Sequence, residues 1–403
     1  MSFGEETLKI AYFSPLNPIK SGVSDYSEEL LEYLAGYAKI DLFIGDYRPT
    51  TAWLHDFFNI RNYREIYENH GKNDHDIHIY HIGNNDIHSY IYALSLQYPG
   101  IVVLHEPTLH HFIFSQTVGK NRLKDYLREL DYCYKEKRSE IVKFTLEERD
   151  ESAWFKYSLV HRIVDSSLGI IVHSDFARSI IKSIDPSAKV KVVRHHYTPP
   201  PPNSIRPAWK VREILGFGAG DFVIGSMGYM TASKRLDLLL GVVSSLISKG
   251  YPVKVLLVGK MLPGCEVLNW VEILNLNNNV VISGYVDTKT FTEYLSVPDV
   301  FVALRDPSAG ETSGSVVKMM GSGTPVIISD NYAFSEFPDG SCVKIPFDGA
   351  EEKRLEEALV SLIEDPSKRQ QIGKMSREYI LSHHDIHSSA RAYMEFAVEI
   401  LKG

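Results

Sequence analysis

Residues 301–329, FVALRDPSAGETSGSVVKMMGSGTPVIIS, predict a strand, a polar loop, a helix and a second strand. The apolar run 301–304 has the length and side chains of a buried strand. Ser313 has the hydroxyl of a helix N-cap, and the glycines Gly321 and Gly323 end the helical spacing. This layout directs N–H groups and the positive end of a helix dipole at an anion, most often phosphate. An ordinary α/β connection has the same local pattern, so both interpretations stand.

The composition narrows the class of protein. The chain has 403 residues, which suit two domains of about 200 residues better than one core. Contents of 44% hydrophobic and 23% charged residues describe a globular protein, and a net charge of −8 argues against a partner made of nucleic acid. Three distant cysteines fit a reducing cytoplasm. The sequence has neither a signal-peptide pattern nor a window of about eighteen apolar residues, so we expect a cytoplasmic protein.

Strands alternate with helices in both halves of the chain, which predicts an α/β fold with doubly wound parallel sheets. Strands are predicted at 8–13, 40–44, 78–82, 101–104, 169–172, 190–193, 222–227, 253–259, 280–283, 301–304, 326–329 and 342–345.

Four consecutive prolines, 199–202, interrupt this alternation because they favour a stiff extended segment. We predict an N-terminal Rossmann-like domain over 1–198, a Pro-rich linker over 199–208 and a C-terminal Rossmann-like domain over 209–385. The last helix, 386–403, is expected to join the N-terminal domain. Ligands of open α/β sheets bind beyond the carboxyl ends of the strands, so the loops of both domains should face a central cleft.

Two features of the N-terminal half are candidate ligand contacts. The loop 14–24 contains Gly22, which allows close backbone approach to a ligand, but it lacks the GxGxxG spacing of dinucleotide binders. A plain connection between a strand and a helix explains this loop equally well. His105 directly follows the predicted strand 101–104, where its imidazole could bond a substrate hydroxyl or move a proton.

Half of the sixteen histidines are concentrated in residues 70–111. They are His70, His75, His78, His81, His88, His105, His110 and His111. A metal site is one interpretation, but His78 and His81 should point to opposite faces of a strand. The sequence also lacks paired cysteines and the HExxH spacing of zinc sites. We therefore predict no metal site.

Lys234 and Arg235 follow the predicted strand 222–227 and should open a helix. Two cations at a helix N-terminus are unfavourable unless an anion lies there. This pair indicates a phosphate ligand more strongly than a solvated surface pair.

Five segments, in this order, resemble the motifs of retaining GT-B glycosyltransferases of family 4, in a branch that assembles bacterial polysaccharides. The first is SPLNPIKSGVSDYS (14–27), followed by YHIGNN (80–85) with PGIVVLHEPTLHH (99–111) and by GIIVHSDFA (169–177). GYMTASKRLDLLL (228–240) resembles the lysine-bearing motif, and GETSGSVVKMMGSGTPVI (310–327) the C-terminal signature. The resemblance covers nearly the whole chain and implies the GT-B fold.

The resemblance implies roles for three residues in particular. Lys234 matches the lysine that neutralises the diphosphate leaving group, a form of charge stabilisation in the transition state. Glu311 approximately matches the first glutamate of the family's E-x7-E signature, which contacts the donated sugar. His105 would contact sugar hydroxyls near the anomeric carbon. Further contacts to the sugar donor would come from Gly22, Tyr229, Arg235, Thr312, Ser313, Gly314, Ser315, Lys318 and Glu336.

Two of these positions depart from the family pattern. The second signature glutamate, which accepts hydrogen bonds from ribose hydroxyls, falls on Lys318, and an ammonium group cannot accept. The paired arginine of the family falls on Tyr229, and Arg235 could substitute from a nearby position with its own geometry.

The implied reaction moves a hexose from a nucleoside-diphosphate sugar, of the UDP-glucose or GDP-mannose type, to a saccharide or lipid-linked acceptor with retention. The leaving phosphate would take the proton of the acceptor, and neither a metal nor a cofactor is implied. Two alternatives stay open. One is a non-catalytic partner subunit that binds a nucleotide sugar, and the other is a phosphorylase with the same fold.

Residues 112–143 bear on contact with a membrane surface. They mix eight basic residues with five aromatic side chains, as a face on an anionic membrane would. Acidic residues in the same segment offset much of this charge, so a solvated helical surface is the favoured interpretation.

Overall fold

The fold is described from a computed structural model of the chain, over residues 7–68, 74–150 and 152–403. These residues form two compact units. The first unit comprises the described residues up to His196, with Ala309–Thr312 and Ile386–Gly403. The second unit comprises Tyr197–Ser308 and Ser313–Asp385.

The first unit is built on a seven-stranded sheet. Its strands are β1 (Lys9–Phe13), β2 (Lys39–Ile44), β3 (Asn59–Asn62), β4 (Ile77–Ile82), β5 (Ile101–Leu104), β6 (Gly169–Val172) and β7 (Val190–Val192). All of its pairings are parallel, in the order β3-β2-β1-β4-β5-β6-β7. The chain changes direction across the sheet between β1 and β4, and such a switch point is where ligands of doubly wound sheets bind.

Helices cover both faces of this sheet. They are α1 (Gly22–Leu34), α2 (Ala52–Phe57), α3 (Arg64–Glu68), α4 (Ser89–Gln97), α5 (His110–Thr117), α6 (Leu123–Tyr134), α7 (Arg138–Val142), α8 (Ser152–Lys156), α9 (His161–Ser166) and α10 (Asp175–Ile184). Strand β1 shows why two layers are needed: Ile10 and Tyr12 belong to one apolar core, and Ala11 and Phe13 belong to the other. Both faces are therefore buried, as in parallel sheets generally.

The second unit has a six-stranded sheet. Its strands are β8 (Phe222–Met227), β9 (Val253–Val258), β10 (Val280–Ile282), β11 (Val300–Ala303), β12 (Val326–Ser329) and β13 (Val343–Ile345). They pair in parallel in the order β10-β9-β8-β11-β12-β13, so the switch point lies between β8 and β11.

Seven helices flank the second sheet. They are α11 (Ala208–Ile214), α12 (Leu236–Ser248), α13 (Val267–Ile273), α14 (Thr288–Tyr294), α15 (Gly314–Gly321), α16 (Glu351–Glu364) and α17 (Pro366–His383). Helix α17 satisfies carbonyls at the end of α15, since Arg377 donates to the Gly321 oxygen at 2.7 Å and Ser376 donates to the Met320 oxygen at 3.2 Å. These bonds fix α15 in position.

The last helix, α18 (Ile386–Leu401), packs in the core of the first unit. A β-carbon on Gly169 would lie 2.7 Å from atoms of both Phe396 and Ile400, so the absence of a side chain at 169 lets α18 approach β6. The hydroxyls of Tyr26 and Tyr393 lie 2.9 Å apart and join α1 to α18.

The predicted α/β class with two parallel sheets is confirmed. Three local predictions were wrong or incomplete. Helix α1 begins at Gly22 because the Ser21 hydroxyl caps it, whereas a loop was expected up to residue 24. Helix α12 begins at Leu236 instead of Lys234. Strand β3 lies at Asn59–Asn62, where no strand was predicted.

Within the ranges described above, no helix combines the length and the apolar character needed to cross a membrane.

Candidate active site

The strongest candidate site of the second unit lies at its switch point, beyond the carboxyl ends of β8 and β11. The loop after β8 carries Gly228 and Lys234, and the loop after β11 leads into α15. Their backbones are joined by the N–H of Asp306, which donates to the Ser233 oxygen at 2.8 Å. The fold therefore brings two segments about 80 residues apart in the chain to one place.

Lys234 is 8% exposed although it carries an ammonium group. It ends a short 3-10 helix, Ala232–Lys234, and its Nζ donates to the Met227 oxygen. Burial, together with the smaller effect of the positive charge of Arg305, lowers the pKa of Lys234 to about 7. A buried lysine with this pKa is typical of a functional site.

Gly228 separates the Lys234 ammonium from helix α15. Its φ is +93°, and a β-carbon there would lie 3.1 Å from the Nζ of Lys234 and 3.1 Å from the Oγ of Ser315. The ammonium and the hydroxyl therefore both lie close to this glycine.

The N-terminus of α15 adds further hydrogen-bond donors. Ser313 is the N-cap, and its hydroxyl accepts from the N–H of Val316 at 3.4 Å and lies 2.9 Å from the Ser315 hydroxyl. The first N–H groups of a helix have no partner within it, and the helix dipole places positive charge there. Together with Lys234, this N-terminus forms a site for an anion such as phosphate.

Arg235 is not arranged as predicted. It has a left-handed backbone, φ 50°, just before α12, and its guanidinium lies 3.4 Å from Asp306 and 3.6 Å from Asp237. It also lies 5.8 Å from the centre of the Phe347 ring. The prediction that Lys234 and Arg235 together open a helix is wrong, because Lys234 ends a 3-10 turn and Arg235, with its left-handed backbone, is the N-cap of a helix that begins at Leu236. The predicted contact of Arg235 with the sugar donor stays a prediction.

The other predicted contacts of the sugar donor are distributed over both units. Tyr229 follows Gly228 and is half-buried, Lys318 is half-buried within α15, and Glu336 ends a 3-10 helix, Tyr332–Glu336. Glu311 and Thr312 belong to the first unit. The buried hydroxyl oxygen of Thr312 has no hydrogen-bond partner in the part of the chain that the structure describes.

Gly22 is the first residue of α1, at the switch point of the first sheet. The hydroxyl of Ser21 accepts from the Ser24 N–H at 3.1 Å. A β-carbon on Gly22 would have nothing within 4 Å, so close packing does not explain the glycine.

Three histidines form a chain along the carboxyl edge of the first sheet. The Nδ1 of His81 on β4 lies 3.0 Å from Nε2 of His105 after β5, and Nδ1 of His105 lies 3.2 Å from Nε2 of His173 after β6. Nδ1 of His173 lies 2.8 Å from the oxygen of Val193. Because a carbonyl only accepts, His173 donates from Nδ1, and the tautomers of His105 and His81 follow in turn.

Both ring nitrogens of His105 are thus engaged by other histidines. Burial lowers the pKa of His105 well below its ordinary value, and neighbouring His173 and His81 add to this effect. The imidazole is therefore neutral at physiological pH. Its predicted contact with a sugar stays a prediction, and it would require His105 to exchange one of these two bonds.

The other histidines singled out from the sequence contact protein groups. His75 lies 3.0 Å from Asp41, His78 lies 2.8 Å from the Tyr80 hydroxyl, and His88 lies 3.0 Å from the His81 oxygen. His110 bonds the Tyr157 oxygen and the Tyr126 hydroxyl at 3.0 and 2.8 Å, and His111 lies 3.4 Å from Asn84. His70 lies outside the described residues. Among the residues the structure describes, no three side chains group as metal ligands.

Two residues of the site region were not predicted, although they closely follow a strand, as His105 does. His173 directly follows β6, and Arg305 comes two residues after β11. Only His105 was predicted from its position after a strand. In a parallel sheet, however, the residues that follow each strand all lie at the carboxyl edge.

Residues 112–143 carry ion pairs that neutralise much of their positive charge. Arg122 and Arg128 pair with Asp125 at 2.6 and 3.2 Å, and Arg138 pairs with Asp131 at 2.9 Å. These contacts agree with a solvated surface.

Comparisons with known proteins agree with this fold. Residues 207–379 match the family model of the group 1 glycosyl transferases. Sucrose-phosphate synthase from Thermosynechococcus elongatus is 16% identical, with a TM-score of 0.70 over 98% of this chain and 99% of that one. Anabaena HepE, in complex with UDP and glucose, is 16% identical with a TM-score of 0.69 over 97% and 100%. WaaG, a glycosyltransferase involved in lipopolysaccharide biosynthesis, is 14% identical with a TM-score of 0.62 over 98% and 100%. No curated protein sequence matches the chain.

The two parallel-sheet units define the GT-B class of glycosyltransferase fold. The similarity to the group 1 glycosyl transferases lies in the second unit, since the matched residues span nearly all of it.

Proposed function

We propose that the protein is a retaining hexosyltransferase that uses a nucleoside-diphosphate sugar of the UDP-glucose or GDP-mannose type. The acceptor is a saccharide or a lipid-linked saccharide in polysaccharide or glycoconjugate synthesis in the cytoplasm. One observation carries this proposal: the Lys234 ammonium and the Ser315 hydroxyl flank Gly228 at the N-terminus of α15. Anabaena HepE, which has this fold, is described in complex with UDP and with UDP-glucose, and this supports a UDP sugar as donor.

In the proposed reaction, the bond between the anomeric carbon and the phosphate oxygen breaks. A bond forms between that carbon and the acceptor oxygen on the same face, and the acceptor proton moves to the leaving phosphate. Lys234, the α15 N–H groups and the Ser313 and Ser315 hydroxyls stabilise the negative charge that develops on the diphosphate. These groups make a metal ion and a cofactor unnecessary. Glu311, Thr312, Gly314, Gly22 and Glu336 are proposed to contact the sugar or the phosphates, as the resemblance implies.

The proposal is tested with UDP-glucose, GDP-mannose and related donors, an acceptor panel, and NMR of the product. We expect a donor with an axial anomeric linkage to give a product with an axial anomeric linkage. We also expect EDTA to leave the rate of transfer unchanged. An inverted linkage, or a rate restored only by Mg²⁺, contradicts the corresponding part of the proposal.

Lys318 and Tyr229 favour a second candidate, a non-catalytic subunit that binds nucleotide sugars, because both depart from the family pattern. The same experiment separates the two. Nucleotide binding with neither transfer nor hydrolysis across the panel favours the non-catalytic subunit.

Contact with an anionic membrane is a separate part of the proposal. Flotation with anionic liposomes, compared with a charge-reversed variant of residues 120–124, tests it. The ion pairs of Asp125 and Asp131 lead us to expect weak flotation that salt abolishes.

A further inference from the structure

We propose that a cleft at the amino edge of the first sheet binds a saccharide, as a site separate from the residues at the carboxyl edge. The cleft has a volume of about 340 Å³ and is lined by residues of the segments 164–170 and 185–189. These segments lead into the neighbouring strands β6 and β7, so the cleft lies at the end of the sheet opposite to His105 and His173. The inference goes beyond the proposed function, because binding in this cleft involves no transfer step.

The two segments that line the cleft are joined by backbone hydrogen bonds. The N–H of Ile170 donates to the Lys189 oxygen at 2.9 Å, and the N–H of Ala188 donates to the Asp185 oxygen at 3.2 Å. A cleft with a fixed backbone exists before the ligand arrives, which lowers the entropic cost of binding. Its volume also lies within the range of small-molecule sites, about 300–1,000 Å³.

Two carboxylates, Asp165 and Asp185, line the cleft and are oriented by hydrogen bonds. The Oδ1 of Asp185 accepts from the N–H and the hydroxyl of Ser187 at 2.8 and 2.6 Å. These bonds from Ser187 hold the pKa of Asp185 below its ordinary value, so the carboxylate is ionised at neutral pH. The Oδ2 of Asp165 accepts from the hydroxyl of Tyr132. A carboxylate accepts about four hydrogen bonds, so both groups have capacity to bind ligand hydroxyls.

The cleft also offers a hydrogen-bond donor and apolar surface. Lys189 contributes an exposed ammonium group, and Leu168 is 48% exposed. Tyr132, which is bonded to Asp165, is 46% exposed, and the guanidinium of Arg162 lies 4.1 Å from the centre of its ring. Aliphatic and aromatic side chains of this kind pack against the C–H groups of a sugar ring.

This set of groups selects a neutral ligand with several hydroxyls. Each sugar hydroxyl both donates and accepts, so it suits carboxylates, serine hydroxyls and an ammonium group together. Two carboxylates against one ammonium group disfavour a phosphate or another anion. Among residues 7–68, 74–150 and 152–403, no three side chains group as ligands of a metal ion, and the Lys189 ammonium would repel a cation. A pyranose is therefore the class of ligand that fits the cleft.

The test is saturation-transfer NMR of the full-length protein with the methyl glycosides of glucose, mannose, galactose and N-acetylglucosamine. Wild type is compared with the double variant Asp165→Asn/Asp185→Asn, whose amide oxygens still accept from Tyr132 and Ser187. We expect the wild type to bind at least one of these glycosides. The double variant should bind it about tenfold more weakly, as loss of bonds to charged acceptors does. Circular dichroism verifies that the variant folds.

Asp221→Asn is the matched control. Asp221 directly precedes β8 at the amino edge of the second sheet, and its carboxylate accepts from the Gly218 N–H at 2.7 Å. The substitution removes the same charge from a comparable turn outside the cleft, so glycoside binding should be unchanged. Hydrolysis of the sugar donor should be unchanged in every variant, because none of these residues lies at the Lys234 site.

Lys189→Gln changes an exposed side chain and decides the matter if the double variant does not fold. It should weaken binding of the same glycoside about three- to tenfold. Binding of none of the glycosides to the wild type would overturn the proposal, as would wild-type affinity in the double variant or, if that variant does not fold, in Lys189→Gln. Displacement of the glycoside by inorganic phosphate would overturn the assignment to a saccharide. Wild-type protein that binds a glycoside in this cleft but turns over no sugar donor would overturn only the proposed function.

Discussion

The ammonium of Lys234 and the hydroxyl of Ser315 both lie next to Gly228. Each is 3.1 Å from the point where a β-carbon on Gly228 would stand. Lys234 follows β8 and Ser315 follows β11, and these strands are neighbours at the switch point of the second sheet. Sheet topology, a helix N-terminus and a buried cation therefore define one anion site.

Gly228→Ala should weaken nucleotide binding and destabilise the protein. The new methyl group would crowd Lys234 and Ser315, and an L-residue is strained at a φ of +93°. We expect nucleotide affinity to fall about tenfold or more and the free energy of unfolding to fall by about 1–2 kcal/mol. Calorimetric titration with UDP and denaturant unfolding measure the two effects.

Gly241→Ala is the matched control for that substitution. Gly241 lies inside α12, and a β-carbon there would have nothing within 4 Å. Alanine is the better helix former, so stability should rise by up to about 1 kcal/mol with nucleotide affinity unchanged. Equal losses of affinity in both glycine variants would mean that the space around Gly228 is not a ligand site.

Nucleotide affinity should decrease as the pH rises above neutrality. Lys234 has a pKa of about 7 in the unliganded protein, and its cationic form binds a diphosphate. Above that pH, binding must add a proton to Lys234, which costs about tenfold in affinity per pH unit until the pKa of the complex is reached. Titrations in buffers of different ionisation enthalpy should show proton uptake at pH 8. Proton release on binding, or a wild-type affinity that does not change between pH 7 and 9, contradicts this assignment.

Acid should destabilise the first unit through its buried histidines. His173 has a pKa of about 4 because burial disfavours the charged ring, whereas an unfolded histidine has a pKa near 6.5. The unfolded state therefore binds more protons between these values, and the stabilisation present above pH 6.5 is lost as the pH falls towards 4. Denaturant unfolding should show that the free energy of unfolding falls as the pH is lowered from 6.5 to 4.

His173→Gln separates this effect from other acid titrations. The variant should be less stable at pH 7, because the bonds to Val193 and His105 are lost. Between pH 4 and 6.5, the slope of its free energy of unfolding against pH should be smaller than that of the wild type. The difference should be up to about 1.4 kcal/mol per pH unit. An unchanged slope would show that His173 is already protonated in the folded state.

Lys318→Glu should introduce recognition of the ribose. Lys318 lies within α15 where the resemblance expects a glutamate that accepts from ribose hydroxyls. Wild-type protein should bind UDP and 2′,3′-dideoxy-UDP within about threefold, since an ammonium cannot accept. The variant should prefer UDP by about tenfold, the value of one good hydrogen bond to a charged group. Strong discrimination by the wild type would indicate that another residue recognises the ribose.

The fold was largely predictable because its strands are buried on both faces. Runs such as 222–227 and 253–258 are mostly apolar, and each became a strand of the second sheet. β3 was missed because Asn59–Asn62 is an edge strand, NIRN, which carries little apolar pattern. Hydrophobic periodicity cannot indicate a strand that contributes so little to the core.

The site was predictable only where it depends on local sequence. The N-cap Ser313 and the end of α15 at Gly321 follow from helix signals and are confirmed. The contact of Arg305 with Ser233 and the bonding of His105 to His81 and His173 depend on which strands are neighbours. Strand order is a property of the folded sheet, so single-sequence patterns do not reveal these contacts.

The most direct test of the Lys234 site is release of nucleoside diphosphate from UDP-glucose or GDP-mannose by wild type and Lys234→Met. Methionine retains most of the volume of the buried side chain, so the substitution removes mainly the charge, and circular dichroism verifies that the variant folds. Loss of a positive group that stabilises the leaving diphosphate should lower kcat at least about 100-fold. Turnover within about threefold of wild type in a folded Lys234→Met variant would contradict the assignment of Lys234 as the cation of the leaving group.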